Sequence, residues 1–355
     1  MIFDYDIFSR ILVMILLPFM FVVAIIPFVR KMAIRINAID IPRGRHIHKV
    51  PTPKLGGLAI FLGFLLGYMV FGTPSSVMNA ILIGSFIIIL TGVIDDISEL
   101  GPLTKLIGQL AAACVIVFYG QILIKDITAF GYYINFSFFS YPLTIFFILG
   151  CINCINLIDG LDGLSGGISS IYYLTIAIIA TIQGKTGLDF VMAFTMLGAT
   201  LGFLVYNFHP ANIFAGDSGS MFMGFMISVI ALFGFKNVTM TSLIIPLVIL
   251  AIPILDTVFA IVRRLLKGEN PAKGDKSHIH HQLLSRNMSH SKTVFVILFI
   301  NVLFSVASIL YVLEDKKLGY IIYGFLLLIV IVFVMTTDVV FDRKEIKKRY
   351  KKLFK

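Results

Sequence analysis

The chain has 355 residues, 58% of them hydrophobic and only 14% charged, with a mean hydropathy of +0.98 and a formal net charge of +10. A water-soluble fold of this length needs far more surface charge, so composition excludes one and predicts an all-α protein that crosses the membrane many times. The positive balance does not signal nucleic acid: no binding motif accompanies it, and its distribution follows topology instead.

Residues 7–29 form the first apolar run, with Asp4 and Asp6 before it and Arg30, Lys31 and Arg35 after it. Its length and trailing cations predict a retained helix with an outside N-terminus, not a signal peptide. Further runs of spanning length fall near 55–72, 77–94, 103–121, 140–157, 166–183, 188–207, 218–234, 241–264, 292–313 and 318–340. With the first they predict about 11 transmembrane helices and a cytoplasmic C-terminus. Pro246 and Pro253 are expected to kink the ninth. The longer outer loop, 122–139, has an alternating apolar pattern that predicts a small hairpin. On this assignment 23 of the 29 Lys and Arg residues fall on cytoplasmic segments, as positive-inside topology requires. A single membrane domain, 1–340, is expected, followed by a basic tail, 341–355, that rests on anionic membrane lipids.

The polar clusters all fall on the predicted cytoplasmic face. Arg43, Arg45, Lys49 and Lys54 lie in the first loop with two histidines, a set suited to a phosphate-bearing ligand or simply to topology. Asp95 and Asp96 follow directly on an apolar run and can hold a divalent cation or divide into a base and a spectator. NCINLIDGLDGLSGG, 153–167, carries two asparagines and two aspartates among glycines. Asp159 and Asp162 share one helix face if the helix runs on, and Asn156 offers a hard oxygen. The bland reading of this stretch is a capped glycine turn between helices. From Asn207 the chain reads NFHPANIFAGDSGSMFMG, placing Asp217 at a helix start, where it is either a cap or a neighbour of a metal-bound diphosphate. His278, His280 and His281 sit beside Lys273, Lys276 and Arg286, which favours phosphate over zinc. Cys151 and Cys154 form a C-x-x-C without a second pair and read as apolar helix positions. Asp256, inside the ninth run, is assigned a structural role with Arg263 or Arg264.

These motifs resemble the polyprenyl-phosphate N-acetylhexosamine-1-phosphate transferase family, glycosyltransferase family 4. The matching pieces are PTPKLGGLAIFLG (51–63), DDISEL (95–100), NLIDGLDGLSGG (156–167), FAGDSGSMFMG (214–224) and HIHHQLL (278–284), in family order. The resemblance implies transfer of N-acetylglucosamine 1-phosphate from UDP-GlcNAc to undecaprenyl phosphate, releasing UMP, with Mg²⁺ as cofactor and Mn²⁺ as a substitute. It implies a multi-pass bacterial cell-membrane enzyme at the first step of an envelope glycopolymer. Isoleucine at 279 between histidines is similar to the UDP-GlcNAc branch; the muramoyl-pentapeptide branch has three consecutive histidines, and its lysine after the aspartate pair is absent here. By motif, Asp217 and Asn156 are implied metal ligands, and Asp95, Asp96 and Asp159 catalytic. Asp162, His278, His280, His281, Asn207 and Lys54 are implied to bind substrate. Another UDP-N-acetylhexosamine or UDP-MurNAc-pentapeptide as donor, a homodimer, and a transporter with acidic ion sites stay open at this stage.

Overall fold

The computed structural model describes residues 5–41, 50–129, 132–234, 250–267, 279–313 and 316–336. The chain divides into two compact units, Met1–Leu247 and Val248–Lys355. Among the described residues, eight helices are long and apolar enough to cross a membrane, so this is a multi-pass membrane protein. Gly56–Phe71 and Leu318–Ile329 are apolar but shorter, and the run at 241–264 lies partly outside the described residues.

The first unit contains α1 (Tyr5–Arg35), α2 (Gly56–Phe71), α3 (Ser76–Ser98), α4 (Pro102–Cys114), α5 (Ser140–Ile158), α6 (Leu164–Ile182), α7 (Leu188–Asn207) and α8 (Gly216–Gly234). A π-helical turn, Val115–Tyr119, continues α4. Local chemistry sets the boundaries. Ser75 caps α3 by accepting from the Met78 amide at 3.1 Å. Pro102 occupies the first turn of α4, where its missing N–H is harmless. Two short strands, β1 (Ile39–Asp40) and β2 (Thr52–Pro53), pair antiparallel. The expected hairpin is present as β3 (Asp126–Ala129) against β4 (Tyr132–Asn135).

Helix α8 is the centre of this unit. Helices α2, α3, α5 and α6 pack on it, while α1 packs on α7 and α2. Of the α7 and α8 spans 83% is buried, against 22% of α1, so α1 turns most of its apolar surface outward. The hydroxyls of Tyr172 and Tyr173 on α6 donate to the α8 carbonyls of Ile227 at 3.2 Å and Met223 at 2.9 Å. Neither buried phenol is left unpaired. Gly57 lies so close to Gly219 that a Cβ would collide with the α8 backbone. Short connections make successive helices antiparallel. The C-terminal ends of α3, α5 and α7 therefore meet the N-terminal ends of α2, α4, α6 and α8.

The second unit holds α9 (Ala251–Lys267), α10 (Ile279–Ser285), α11 (His290–Val312) and α12 (Lys316–Thr336). The buried Asp256 carboxylate, expected to act with Arg263 or Arg264, accepts from the Ile279 amide at 2.7 Å and ties the start of α10 to α9. Ser289 caps α11, and the Tyr323 hydroxyl donates to Ser308 at 3.1 Å to join α12 to α11. The basic tail lies outside the described residues.

Candidate active site

The gathered helix ends bring Asp95, Asp96, Lys105, Asn156 and Asp217 together. Asp95 and Asp96 are neighbours on the last turn of α3, but an α-helix rotates by roughly 100° per residue, so they face different partners. The Asp96 carboxylate is spent on α8. One oxygen accepts from the Asp217 amide at 2.9 Å; the other accepts from the Ser218 amide at 3.2 Å and the Ser218 hydroxyl at 2.7 Å. It thus caps the α8 N-terminus from a neighbouring helix. Gly216, at φ +70, is required twice, for its left-handed backbone and because a Cβ would meet the Asp96 carboxylate. Expected as a catalytic group, Asp96 is placed as an anchor.

Asp95 faces the other way. Its Oδ1 accepts from the Leu100 amide at 2.7 Å, and its Oδ2 lies 2.7 Å from the Lys105 ammonium. Lys105 also reaches Asp217 Oδ1 at 3.1 Å. The Asn156 amide nitrogen donates to the same Asp217 oxygen at 2.7 Å and to Ser220 Oγ at 2.8 Å. Asn156 therefore orients Asp217 in this structure, where the sequence predicted an oxygen ligand. Asp95, Asp96 and Asp217 each bring a carboxylate oxygen within 4.8 Å of the others. Hard oxygens at this spacing fit a divalent cation such as Mg²⁺. Lys105, threaded between two of them, shows that the cluster already accommodates positive charge.

The glycine-rich stretch does not continue as helix. Helix α5 stops at Ile158, and Gly163 adopts φ +79 before α6, so Asp159 and Asp162 point to different places and do not share a helix face. Asp159 accepts a short hydrogen bond from the Ser165 hydroxyl in the first turn of α6. Asp162 accepts from the Ala211 amide at 3.2 Å and meets His209 Nδ1 at 2.7 Å. Asn207 is buried, with its carbonyl accepting from Gly163 at 2.9 Å and its amide donating to Ile213 at 2.9 Å. Asn207, expected to contact substrate, ties these two loops together. Lys54 lies in the stretch 53–57, which runs beside Phe214 and Ala215; Gly56 and Gly57 donate to their carbonyls at 2.9 and 3.0 Å. This holds the first-loop motif directly before Asp217. His278 lies outside the described residues, as does the side chain of His280, and His281 sits half-buried on α10.

The model of glycosyl transferase family 4 matches residues 78–235, the part of the chain that carries the acidic cluster. A Bacillus subtilis (strain 168) protein named "Probable undecaprenyl-phosphate N-acetylglucosaminyl 1-phosphate transferase" is 40% identical over 98% of both chains. The chain belongs to glycosyl transferase family 4. A Mycolicibacterium smegmatis decaprenyl-phosphate N-acetylglucosaminephosphotransferase is 33% identical over 76% of this chain and 74% of its own. A Salmonella typhi undecaprenyl-phosphate alpha-N-acetylglucosaminyl 1-phosphate transferase is 30% identical, over 79% and 78%.

Sequence reasoning about this family 4 enzyme missed Lys105, His209, Ser218 and Ser220. Lys105 reads as an ordinary positive-inside residue; its one distinguishing sign is its place in the first turn of a helix that begins just after the aspartate pair. Cys151 and Cys154 are buried on α5 and form no disulfide, as apolar helix positions should.

Asp159 gives a pH prediction. Burial raises its carboxyl from 3.8 to about 7, outweighing the Ser165 hydrogen bond, and the charges of Asp217, Asp96 and Asp162 push the same way. Between pH 3.8 and about 7 the folded chain keeps a proton that the unfolded chain has released. The stability this group contributes is therefore greatest below pH 3.8, falls as pH rises to about 7, and is flat above. Asp159→Asn, which mimics the protonated form, should gain thermal stability relative to the parent over that window, by on the order of a few kcal/mol. Melting curves in detergent from pH 4 to 8 check this. Parallel pH curves for the two proteins would show that burial is not setting this carboxyl.

Proposed function

We propose that the enzyme transfers N-acetylglucosamine 1-phosphate from UDP-GlcNAc to undecaprenyl phosphate, giving undecaprenyl-diphospho-GlcNAc and UMP. The chain is inserted with its N-terminus outside and, counting about 11 spans, the acidic cluster on the cytoplasmic face where the nucleotide sugar is found. The observation that carries the reading is the convergence of Asp95, Lys105, Asn156 and Asp217 where α3, α4, α5 and α8 meet.

The step needs alignment more than proton transfer. An oxygen of the lipid phosphate attacks the phosphorus bonded to GlcNAc. The bond from that phosphorus to the UMP oxygen breaks, and UMP leaves with the electron pair. A phosphate monoester with a second pKa of about 6 is already dianionic at neutral pH, so the nucleophile needs no base. Asp95 is read as an orienting group through Lys105, whose ammonium it holds at 2.7 Å and which is read as the partner of a phosphate oxygen. Asp217 would hold Mg²⁺, or Mn²⁺ in its place, which would neutralise charge on the UDP diphosphate as UMP leaves. Asp162, set by His209 and Ala211, stands on the loop assigned to the nucleotide base.

Purified protein incubated with Mg²⁺, undecaprenyl phosphate and a panel of UDP-sugars should release UMP with UDP-GlcNAc and stay silent with UDP-MurNAc-pentapeptide. No UMP from any sugar would overturn the assignment. Preference for another UDP-N-acetylhexosamine would keep the reaction and change the substrate.

A further inference from the structure

One turn deeper than the acidic cluster lies a second polar layer that the chemistry above does not use. Gln109 on α4 is buried. Its side-chain carbonyl accepts from the Asn153 amide of α5 at 2.8 Å, and its own amide donates to the Met221 sulfur of α8 at 3.3 Å. The Asn153 amide also donates to Leu149 O at 2.8 Å, which fixes its rotamer. Each member sits three or four residues along its helix from a member of the upper layer. Gln109 follows Lys105, Asn153 precedes Asn156, and Met221 follows Asp217. Residues so spaced share a helix face. The lower layer therefore repeats the upper one, with neutral amides and a thioether in place of ions.

We infer that the Gln109–Asn153–Met221 tie sets the rotation of α4, α5 and α8 so that Lys105, Asn156 and Asp217 converge, making Gln109 and Asn153 positioning residues for phosphoryl transfer. The inference rests on the proposed reaction for its readout but not for its geometry. Apolar side chains at these positions would pack the helices without a directional bond between them. In lipid, amides bond across helices because no water competes for them. A rotation of α4 by a few degrees moves the Lys105 ammonium, at the end of a long side chain, away from Asp95 and Asp217. Misplacement of about 1 Å at a reacting centre lowers the rate on the order of a hundredfold.

The test compares Gln109→Leu, Asn153→Leu and the exchanged pair Q109N/N153Q, each purified in detergent and assayed for UMP release per folded molecule. Both leucine variants should lose kcat on the order of a hundredfold with KM for UDP-GlcNAc held within about threefold. The exchanged pair, which keeps one long and one short amide across the same gap, should recover at least a tenth of the parental kcat. Leucine variants that melt lower but turn over normally would show a purely structural tie and overturn the inference. So would an exchanged pair that melts like the parent yet stays as slow as the leucine variants. If a leucine variant does not fold, the exchanged pair and Gln109→Glu still decide between these outcomes. A parent that releases no UMP from any UDP-sugar would fail the proposed reaction instead, a result separate from unchanged kcat in the variants.

Discussion

Asp217→Asn is expected to abolish turnover, by on the order of a thousandfold or more, while leaving the fold in place. The fold survives because the α8 N-terminus is held through the Asp217 backbone amide, which donates to Asp96, and not through the Asp217 side chain. What the substitution removes is a carboxylate flanked by Lys105 at 3.1 Å and Asn156 at 2.7 Å. Asparagine is nearly the same shape but neutral, so Lys105 keeps only Asp95 and the divalent site loses a charged oxygen. UMP release should vanish, and raising Mg²⁺ should not restore it, while the melting temperature stays near the parental value. Normal activity in this variant would sink the metal assignment. Asp95→Asn should be milder, slowing transfer and shifting the pH profile, because it weakens the seat of Lys105 without emptying the centre.

The second large effect is one of stability. Asp96→Ala removes the acceptor for two backbone amides and a hydroxyl at the start of α8; the two Ser218 donors are left in a buried place and the Asp217 amide in a part-buried one. Each unpaired buried donor costs about 1–3 kcal/mol, so the total is several kcal/mol, a large share of the stability of most proteins. Activity should fall with the melting temperature, since α8 carries Asp217. Asp96→Asn keeps one acceptor oxygen and should lie between the parent and the alanine variant in both measures. If Asp96→Ala melts like the parent yet is inactive, Asp96 acts on substrate and the anchoring role is wrong.

These two aspartates show where sequence reading stops. DDISEL locates the pair at a helix end, and that is correct, but which carboxylate faces the centre depends on how α3 is turned against α8. Helix boundaries were far more legible, because long apolar runs bounded by Gly, Pro and Ser leave little choice; α7 spans Leu188–Asn207 as expected. The spacing of Asp159 and Asp162 misled for the reason that helped elsewhere. Three residues apart means one face only while the helix lasts, and it ends at Ile158. Asn207 was implied as a ligand by the resemblance alone, and its two partners in the neighbouring loops cannot be read from a single stretch. Lys105 was hidden among cations that topology alone accounts for.

The bond from the Asp217 amide to Asp96 joins residues 121 positions apart. A ribosome making about 5–20 residues per second needs on the order of ten seconds to cover that distance. Through that interval α3 stands in the bilayer with Asp96 still waiting for α8, whereas Lys105 emerges soon after Asp95 and can quiet its charge at once. Biogenesis is therefore ordered: the ion pair comes early, and the centre closes only when the last of its helices arrives.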